Sequence, residues 1–278
     1  MGIMNPKLLL EDHGIAPKKS LGQNFLQDPN TLDKIVAAAE LLPTDTVLEI
    51  GPGTGAMTTR LAKAAERVVA VEIDSRLEPV LRAALAAERL SNVSLLFADI
   101  LQVNVASLMA DPPYVVVANL PYYITSAILR HLLEARHRPR RLVLMVQLEV
   151  AERLTAAPGD MSLLTVSAQF YAKPQMIGRL KPSVFWPRPD VDSAVVRLDT
   201  YAAPPVDVPD VATFFKVVRA GFAQKRKQLK NAFAEGVGLS HADAAIMLEL
   251  ASIDPKRRAE TLSLGEWAAL ARAFVTLR

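Results

Sequence analysis

Five short apolar runs punctuate the first two thirds of the chain: "TVLEIG" (46–51), "RVVAVEID" (67–74), "VSLLFAD" (93–99), "YVVVANL" (114–120) and "RLVLMVQ" (141–147). Each is brief and rich in Val, Ile and Leu, so each reads as a buried strand. Amphipathic patterns such as "AMTTRLAKAA" (56–65) and "RLEPVLRAALAAE" (76–88) lie between them and read as helices. Strand–helix alternation of this kind predicts an α/β fold, a mostly parallel, doubly wound sheet covered on both faces. "SLLTVSAQFYA" (162–172) and "SAVVRLDTY" (193–201) read as later strands at its far edge. The pattern breaks at "AAPPVDVPD" (202–210), where three prolines mark a linker. Beyond it the periodicity is purely helical: a long segment through about Glu235, then "HADAAIMLELA" and "LGEWAALARAFVTL". The predicted organisation is an extension over 1–30, a sheet domain over 31–201, the linker over 202–210 and a small helical domain over 211–278.

Composition narrows the class. With 51% hydrophobic and 22% charged residues in 278, the chain buries a real core and is not disordered. There is no cysteine, which excludes disulfides, thiolate metal sites and a cysteine nucleophile, and suits a reducing cytoplasm. The start, "MGIMNPKLLLED", lacks the apolar core of a secretory signal, and no run reaches the ~18 residues of a membrane span. The expectation is a soluble, cytoplasmic, monomeric protein with no membrane contact.

Net charge is only +3, but its distribution is uneven. Residues 161–189 contain no acid and carry Lys173, Arg179, Lys181 and Arg188. Residues 216–230 hold six basic residues and no acid, and "RHRPRR" (136–141) adds four arginines. One such cluster is an ordinary solvated face; three together point to a polyanion such as nucleic acid. Lys216, Arg219, Arg226 and Lys230 roughly share a helix face, with Phe214, Val218, Phe222 and Leu229 as the buried stripe.

The glycines of "VLEIGPGTGAMT" fall between a strand and a helix, where Gly51 and Gly53 let the backbone turn sharply and approach a ligand. Glu72 ends the next strand, 21 residues after Gly51, placed to accept from both hydroxyls of a ribose. Gly51-x-Gly53-x-x-Ala56 also satisfies the dinucleotide fingerprint, so a nicotinamide dehydrogenase stays open at this point. Asp99 ends the third strand and is placed to accept from an adenine amino group. Two acids on successive strands suit one nucleoside better than two.

The fourth strand ends in Asn119-Leu120-Pro121-Tyr122. An adenine amine is a poor nucleophile because its lone pair is delocalised into the ring. A site that methylates it must hold the base and accept its N–H hydrogens. The Asn119 side-chain oxygen and the Leu120 carbonyl can be those acceptors. Pro121 fixes the backbone beside them, and Tyr122 can stack on the base. Neither a metal nor a strong general base is required. The competing reading makes Asn119 a strand-end cap and the tyrosines packing residues. His13, His131, His137 and His241 show no metal-ligand spacing.

Taken with "KKSLGQNFL" (18–26), "VEID", "ADIL", "NLPYYITSAIL", "MVQLEVAERL", "VFWPRPDVDSAVVRL" and "GFAQKRKQLKNAF", these stretches make the chain resemble the ribosomal RNA adenine dimethyltransferases of the KsgA type along nearly its whole length. The resemblance implies a Rossmann-like fold and an S-adenosylmethionine-dependent enzyme. Its expected action is to dimethylate two adjacent adenosines in the 3′-terminal hairpin loop of small-subunit rRNA, with pre-30S subunits as partner and a part in their biogenesis. Carried over by position, Asn24, Leu26, Gly51, Gly53, Glu72, Asp99 and Asn119 line the donor site. Asn119, Leu120, Pro121 and Tyr122 orient the target amine, with Phe185 a second aromatic wall against a flipped adenine. Lys216, Arg219, Lys225, Arg226, Lys227 and Lys230 contact RNA phosphates. Two departures from the family pattern stand out: Leu148, where many relatives carry Lys, and Asp160–Leu164. Alternatives on the same fold are a large-subunit resistance-type methyltransferase and a non-catalytic assembly factor.

Overall fold

All five early apolar runs form strands. The structure, a computed structural model, describes residues 5–109, 113–121, 124–224 and 226–277. In chain order the strands are β1 (Phe25–Leu26), β2 (Thr46–Ile50), β3 (Arg67–Glu72), β4 (Val93–Phe97), β5 (Tyr114–Asn119), β6 (Arg141–Gln147), β7 (Ala172–Leu180), β8 (Phe185–Trp186) and β9 (Ser193–Thr200). Seven of them make one sheet in the order β4-β3-β2-β5-β6-β9-β7, and β1 pairs antiparallel with β8 apart from it. β2 to β6 run parallel, whereas β9 lies antiparallel to β6.

The parallel strands are uninterrupted apolar runs because both of their faces are covered. Val115, Val116 and Val117 on β5 are each at most 1% exposed, as are Leu142, Val143 and Leu144 on β6. Burying each such side chain contributes about 1.5–3 kcal/mol. Helices α1 (Pro6–Asp12), α2 (Pro29–Ala39), α3 (Thr58–Ala64), α4 (Glu78–Ala87), α5 (Val105–Leu108), α6 (Thr125–Leu133) and α7 (Leu148–Leu154) accompany the sheet. Local chemistry starts them: α2 begins with Pro29 behind Asp28, whose carboxylate accepts from Thr31 N–H at 2.8 Å.

The chain divides into two compact units, and not at the linker. The first takes the chain through Ala151 together with Pro174–Thr200; the second takes Glu152–Lys173 and the chain from Tyr201. The sequence boundary of 31–201 against 211–278 is thereby corrected. So is the strand read into "SLLTVSAQFYA", which forms helix α8 (Leu163–Tyr171) of the second unit. Ser162 and Thr165 make a reciprocal capping box at its start, and Gln169 ties the helix to the Ala156 carbonyl at 2.9 Å. Phe170 then packs on Phe214 and Phe215 at ring separations of 4.6 and 5.2 Å. "SAVVRLDTY" is a strand, β9, but it sits inside β7, which is the edge strand and was not foreseen.

The rest of the second unit is helical: α9 (Val211–Phe222), α10 (Leu229–Gly236), α11 (His241–Leu250) and α12 (Leu264–Thr276). The single long helix expected through Glu235 is broken in two. Leu229 N–H leaves that path to bond the Arg257 carbonyl at 2.9 Å, and the break lets both helices face Trp267. Close approach needs small residues. A Cβ on Gly221 would overlap the Trp267 ring, and one on Gly236 would meet Ala220 at 2.8 Å.

Candidate active site

The carboxyl ends of β2, β3, β4 and β5 meet at one rim, and the turns leaving them build a cleft of roughly 700 Å³ that is open to solvent. β2 passes into α3 through the glycine turn, with Gly51 at φ 72° and Gly53 at φ 59°. Side chains rarely adopt that left-handed backbone. Space is also lacking: a Cβ on Gly51 would lie 3.2 Å from the Asn119 carbonyl oxygen, and one on Gly53 2.9 Å from the Phe25 ring.

Glu72 closes β3 with 5% exposure. Its Oε2 accepts from Gly53 N–H at 3.1 Å and its Oε1 from Asp74 N–H at 2.9 Å. Burial raises its pKa, and these backbone donors act against the rise. A carboxylate held once at each oxygen has a fixed direction and keeps acceptor capacity on both, which is what two neighbouring hydroxyls require. Asp99 lines the same cleft, half-buried, and spends Oδ1 on the Leu101 N–H at 3.0 Å. Ile73, an apolar side chain 51% exposed, lines the same cleft.

A further wall is remote in sequence. Leu21, Gly22, Gln23 and Asn24 line the cleft from the N-terminal segment. The Asn119 side chain, at the end of β5, donates through Nδ2 to the Asn24 carbonyl at 2.9 Å. A carbonyl only accepts, so this contact fixes which end of the Asn119 amide is N–H and leaves Oδ1 as the acceptor for something else. Pro121 lines the cleft, and its carbonyl accepts from Thr125 Oγ1 at 3.2 Å. Leu120 is 2% exposed, with its N–H on the Met145 carbonyl at 3.2 Å, so its contribution is main-chain.

Asn24, Gly51, Gly53, Glu72, Asp99, Asn119 and Pro121 are thus brought to one cleft. Leu26 lines a smaller adjoining cavity with the glycine turn, Met57 and Met145. Tyr122 and Lys225 lie outside the described residues. Phe185 is a correction: it is 1% exposed, lines neither cavity, and packs in the core with Leu26 and Val195. The reason is the pairing of β8 with β1, which sets Phe185 opposite Leu26 and turns the ring inward, while Trp186 stacks on Phe25 at 6.5 Å.

Sequence reasoning passed over Glu49. It sits on β2 beneath the glycine turn, 2% exposed, and burial pushes its pKa up to about 8, with the nearby Glu72 carboxylate adding to the rise. The "LEIG" motif contained the signal, since a carboxylate within a buried apolar strand needs an explanation. Asp74 was passed over too. It is 3% exposed, and the Arg76 guanidinium holds its carboxyl down at about 2.

The basic clusters separate into two kinds. Arg140 pairs with Asp45 at 2.5 Å, and Arg141 with Asp199 at 2.6 Å and Glu40 at 2.7 Å, so much of "RHRPRR" is internal bracing. On α9, Arg219 and Lys216 are exposed, with Lys216 Nζ 5.4 Å from the Phe274 ring centre. Arg226 is exposed, Lys230 half-buried, and Lys227 forms an ion pair with Glu235. Among the described residues no group of three or more His, Cys, Asp or Glu is arranged to hold a metal ion, and no helix is long and apolar enough to cross a membrane.

Two solved structures share this architecture. A dimethyladenosine transferase from Plasmodium falciparum aligns with TM-score 0.78 and 26% identity over 91% of this chain and 98% of its own. The 23S rRNA methyltransferase ErmE aligns with TM-score 0.71 and 29% identity over 90% of this chain and 99% of its own. The fold is that of a Rossmann-like methyltransferase. Among curated sequences, ribosomal RNA small subunit methyltransferase A of Dehalococcoides mccartyi (strain CBDB1) is 45% identical over 95% of this chain and 90% of its own. The protein of that name from Pelotomaculum thermopropionicum is 46% identical over 96% and 94%. The sequence profile of ribosomal RNA adenine dimethylase matches residues 15–274, and the chain belongs to that family.

Proposed function

We propose that this chain transfers methyl groups from S-adenosylmethionine to the exocyclic amines of two adjacent adenosines in the 3′-terminal hairpin loop of small-subunit rRNA, on a pre-30S particle in the cytoplasm. One observation carries the reading: two buried or half-buried acids, a bare glycine turn and an oriented Asn119 amide converge on a single cleft. The small-subunit rRNA enzymes that resemble it at 44–46% identity support the choice of substrate.

The residues present fit the donor. Glu72 is fixed to accept from ribose hydroxyls, Asp99 retains an oxygen for an adenine amine, and Ile73 offers an apolar face to a flat ring. S-adenosylmethionine, when bound, supplies a methyl group on a sulfonium whose leaving group is a neutral thioether. The chain's own task is to present the amine. Asn119 Oδ1 and the Leu120 carbonyl accept its two N–H hydrogens, which turns the nitrogen lone pair out of conjugation with the ring. The attacking nitrogen forms its bond to the methyl carbon as the carbon–sulfur bond of the sulfonium breaks, and then releases one proton to the solvent-open cleft. A single N–H is left after one methylation, and one acceptor still orients the nitrogen for the second. Pro121 holds this backbone extended, and Tyr122 supplies the stacking face for a base drawn out of its helix. The exposed charges of α9 contact phosphates without reading sequence.

Mass spectrometry of rRNA adenines tests this. Undermethylated small and large subunits, incubated together with the protein and isotope-labelled donor, should yield labelled dimethyladenosine in small-subunit rRNA. No methylated adenine refutes the enzyme, and labelled product only in large-subunit rRNA refutes the substrate.

A further inference from the structure

The N-terminal wall of the cleft is anchored at both ends by apolar packing, Leu10 and Ile15 before it and Phe25 after it clustering with Leu77 and Leu81. Between those anchors it is held by polar contacts, and one of them is an unusual use of a buried charge. Gln23 Oε1 accepts from Lys18 N–H at 2.7 Å, while its Nε2 donates to Asp74 Oδ2 at 2.9 Å. The same carboxylate accepts from Arg76 Nε at 2.8 Å and Arg76 Nη2 at 2.6 Å. Arg76 Nη2 also reaches the Ala16 carbonyl at 3.4 Å. On its other side Asp74 donates its own N–H to Glu72 Oε1 at 2.9 Å.

Burying a paired carboxylate adds little net stability, because desolvation offsets the attraction. What such a pair does secure is geometry. Here it joins two things distant in sequence, the segment from Ala16 to Asn24 and the carboxylate of Glu72. The segment's own turn is self-contained, with Gly22 at φ 62° and its carbonyl bonded by Asn24 Nδ2 at 3.1 Å. Among the described residues, the side-chain hydrogen bonds that tie it to the sheet side are Gln23 on Asp74, Arg76 on Ala16 and Asn119 on Asn24.

We propose that Gln23, Asp74 and Arg76 form a latch that closes the Lys18–Asn24 segment as a strap over the methyl-donor site and sets how long the donor stays there. Asp74 is a positioning residue, acting through Gln23 on the strap and through its N–H on Glu72. The inference rests on the donor reading of the cleft and adds to it a rate-setting element that touches neither reacting atom.

Surface plasmon resonance with S-adenosylmethionine, alongside limited trypsin digestion, tests it. Gln23→Ala and Asp74→Asn should each speed donor dissociation about tenfold, the scale of a charge-assisted hydrogen bond. The double variant should be no faster than the faster single one, since both open the same latch. Trypsin cleavage after Lys18 and Lys19 should accelerate in all three variants, and donor should protect wild type more than the variants. A dissociation rate for Gln23→Ala equal to wild type, or losses that multiply in the double variant, overturns the latch. Gln23→Ala keeps the test decisive if Asp74→Asn fails to fold. If wild type binds no donor, the donor reading fails, and the trypsin rates then decide the latch alone: an unchanged rate in Gln23→Ala overturns it.

Discussion

Asn119 and Asn24, 95 residues apart, are joined by a hydrogen bond in which the Asn119 side-chain amide donates to the Asn24 carbonyl at 2.9 Å. The bond makes the orientation of Asn119 depend on the N-terminal segment, and so couples the residue that would hold an amine to the wall of the donor cleft.

Asn119→Asp tests that coupling. Its carboxylate has no N–H for Asn24 and meets a carbonyl oxygen instead. Turnover should fall about 100-fold, the cost of mispositioning a reacting group, with a smaller change in donor affinity. Single-turnover methylation assays with parallel calorimetry separate the two.

Glu72→Gln should weaken donor binding about tenfold or more, because charge-assisted hydrogen bonds to the ribose become neutral ones. Isothermal titration calorimetry reads this directly. Since burial raises the pKa of Glu72, affinity in wild type should also decline as pH falls into the acid range, and the decline should be absent in Glu72→Gln.

Glu49 gives a stability signature. Its pKa in the folded chain is about 8 against an ordinary 4.5, so between those values the folded state holds a proton that the unfolded state has released. Stability from this group therefore falls as pH rises from about 4.5 and levels off above about 8. Glu49→Gln, which is neutral at every pH, should be near wild type in acid and gain relative thermal stability toward pH 8. Scanning calorimetry across that range shows the crossing or its absence.

Gly221→Ala should destabilise the second unit by about 1–3 kcal/mol, the usual cost of overpacking, because the new Cβ collides with the rigid Trp267 ring. Chemical denaturation followed by tryptophan fluorescence measures it.

Arg219→Ala should lower RNA affinity and reduce the slope of log affinity against log salt by about 1, with donor affinity unchanged. Lys227→Ala should change that slope less, since Glu235 already neutralises Lys227. Filter binding at several salt concentrations compares them.

The sequence made the cleft legible wherever a chemical residue stood at a strand end. Glu72, Asp99 and Asn119 could be placed because the period of the preceding run says where a strand stops, and a parallel sheet collects those ends on one rim. What escaped depends on contacts between distant segments. Phe185 looks available in "VFWPRP", and only its register against Leu26 buries it. "SLLTVSAQFYA" has strand-like content because the helix it forms is buried on nearly every side, with Val166, Ala168 and Phe170 alternating as a strand would and Phe170 packed on Phe214. Arg140 and Arg141 resemble part of a nucleic-acid patch until Asp45, Glu40 and Asp199 are seen beside them. The pairing of Gln23 with Asp74 carries no local signal, the two being 51 residues apart.

The second unit is assembled from two stretches of chain, and Pro174–Thr200 returns to the first unit between them. Phe170 and Tyr171 therefore close an aromatic cluster whose other half, Phe214 and Phe215, is encoded downstream of the proline-rich segment. A recombination event at Ala202–Asp210 would strand both halves, leaving apolar rings exposed on each product. The stretch downstream of the proline-rich segment is therefore not a self-sufficient cassette, because half of its aromatic cluster is supplied from upstream.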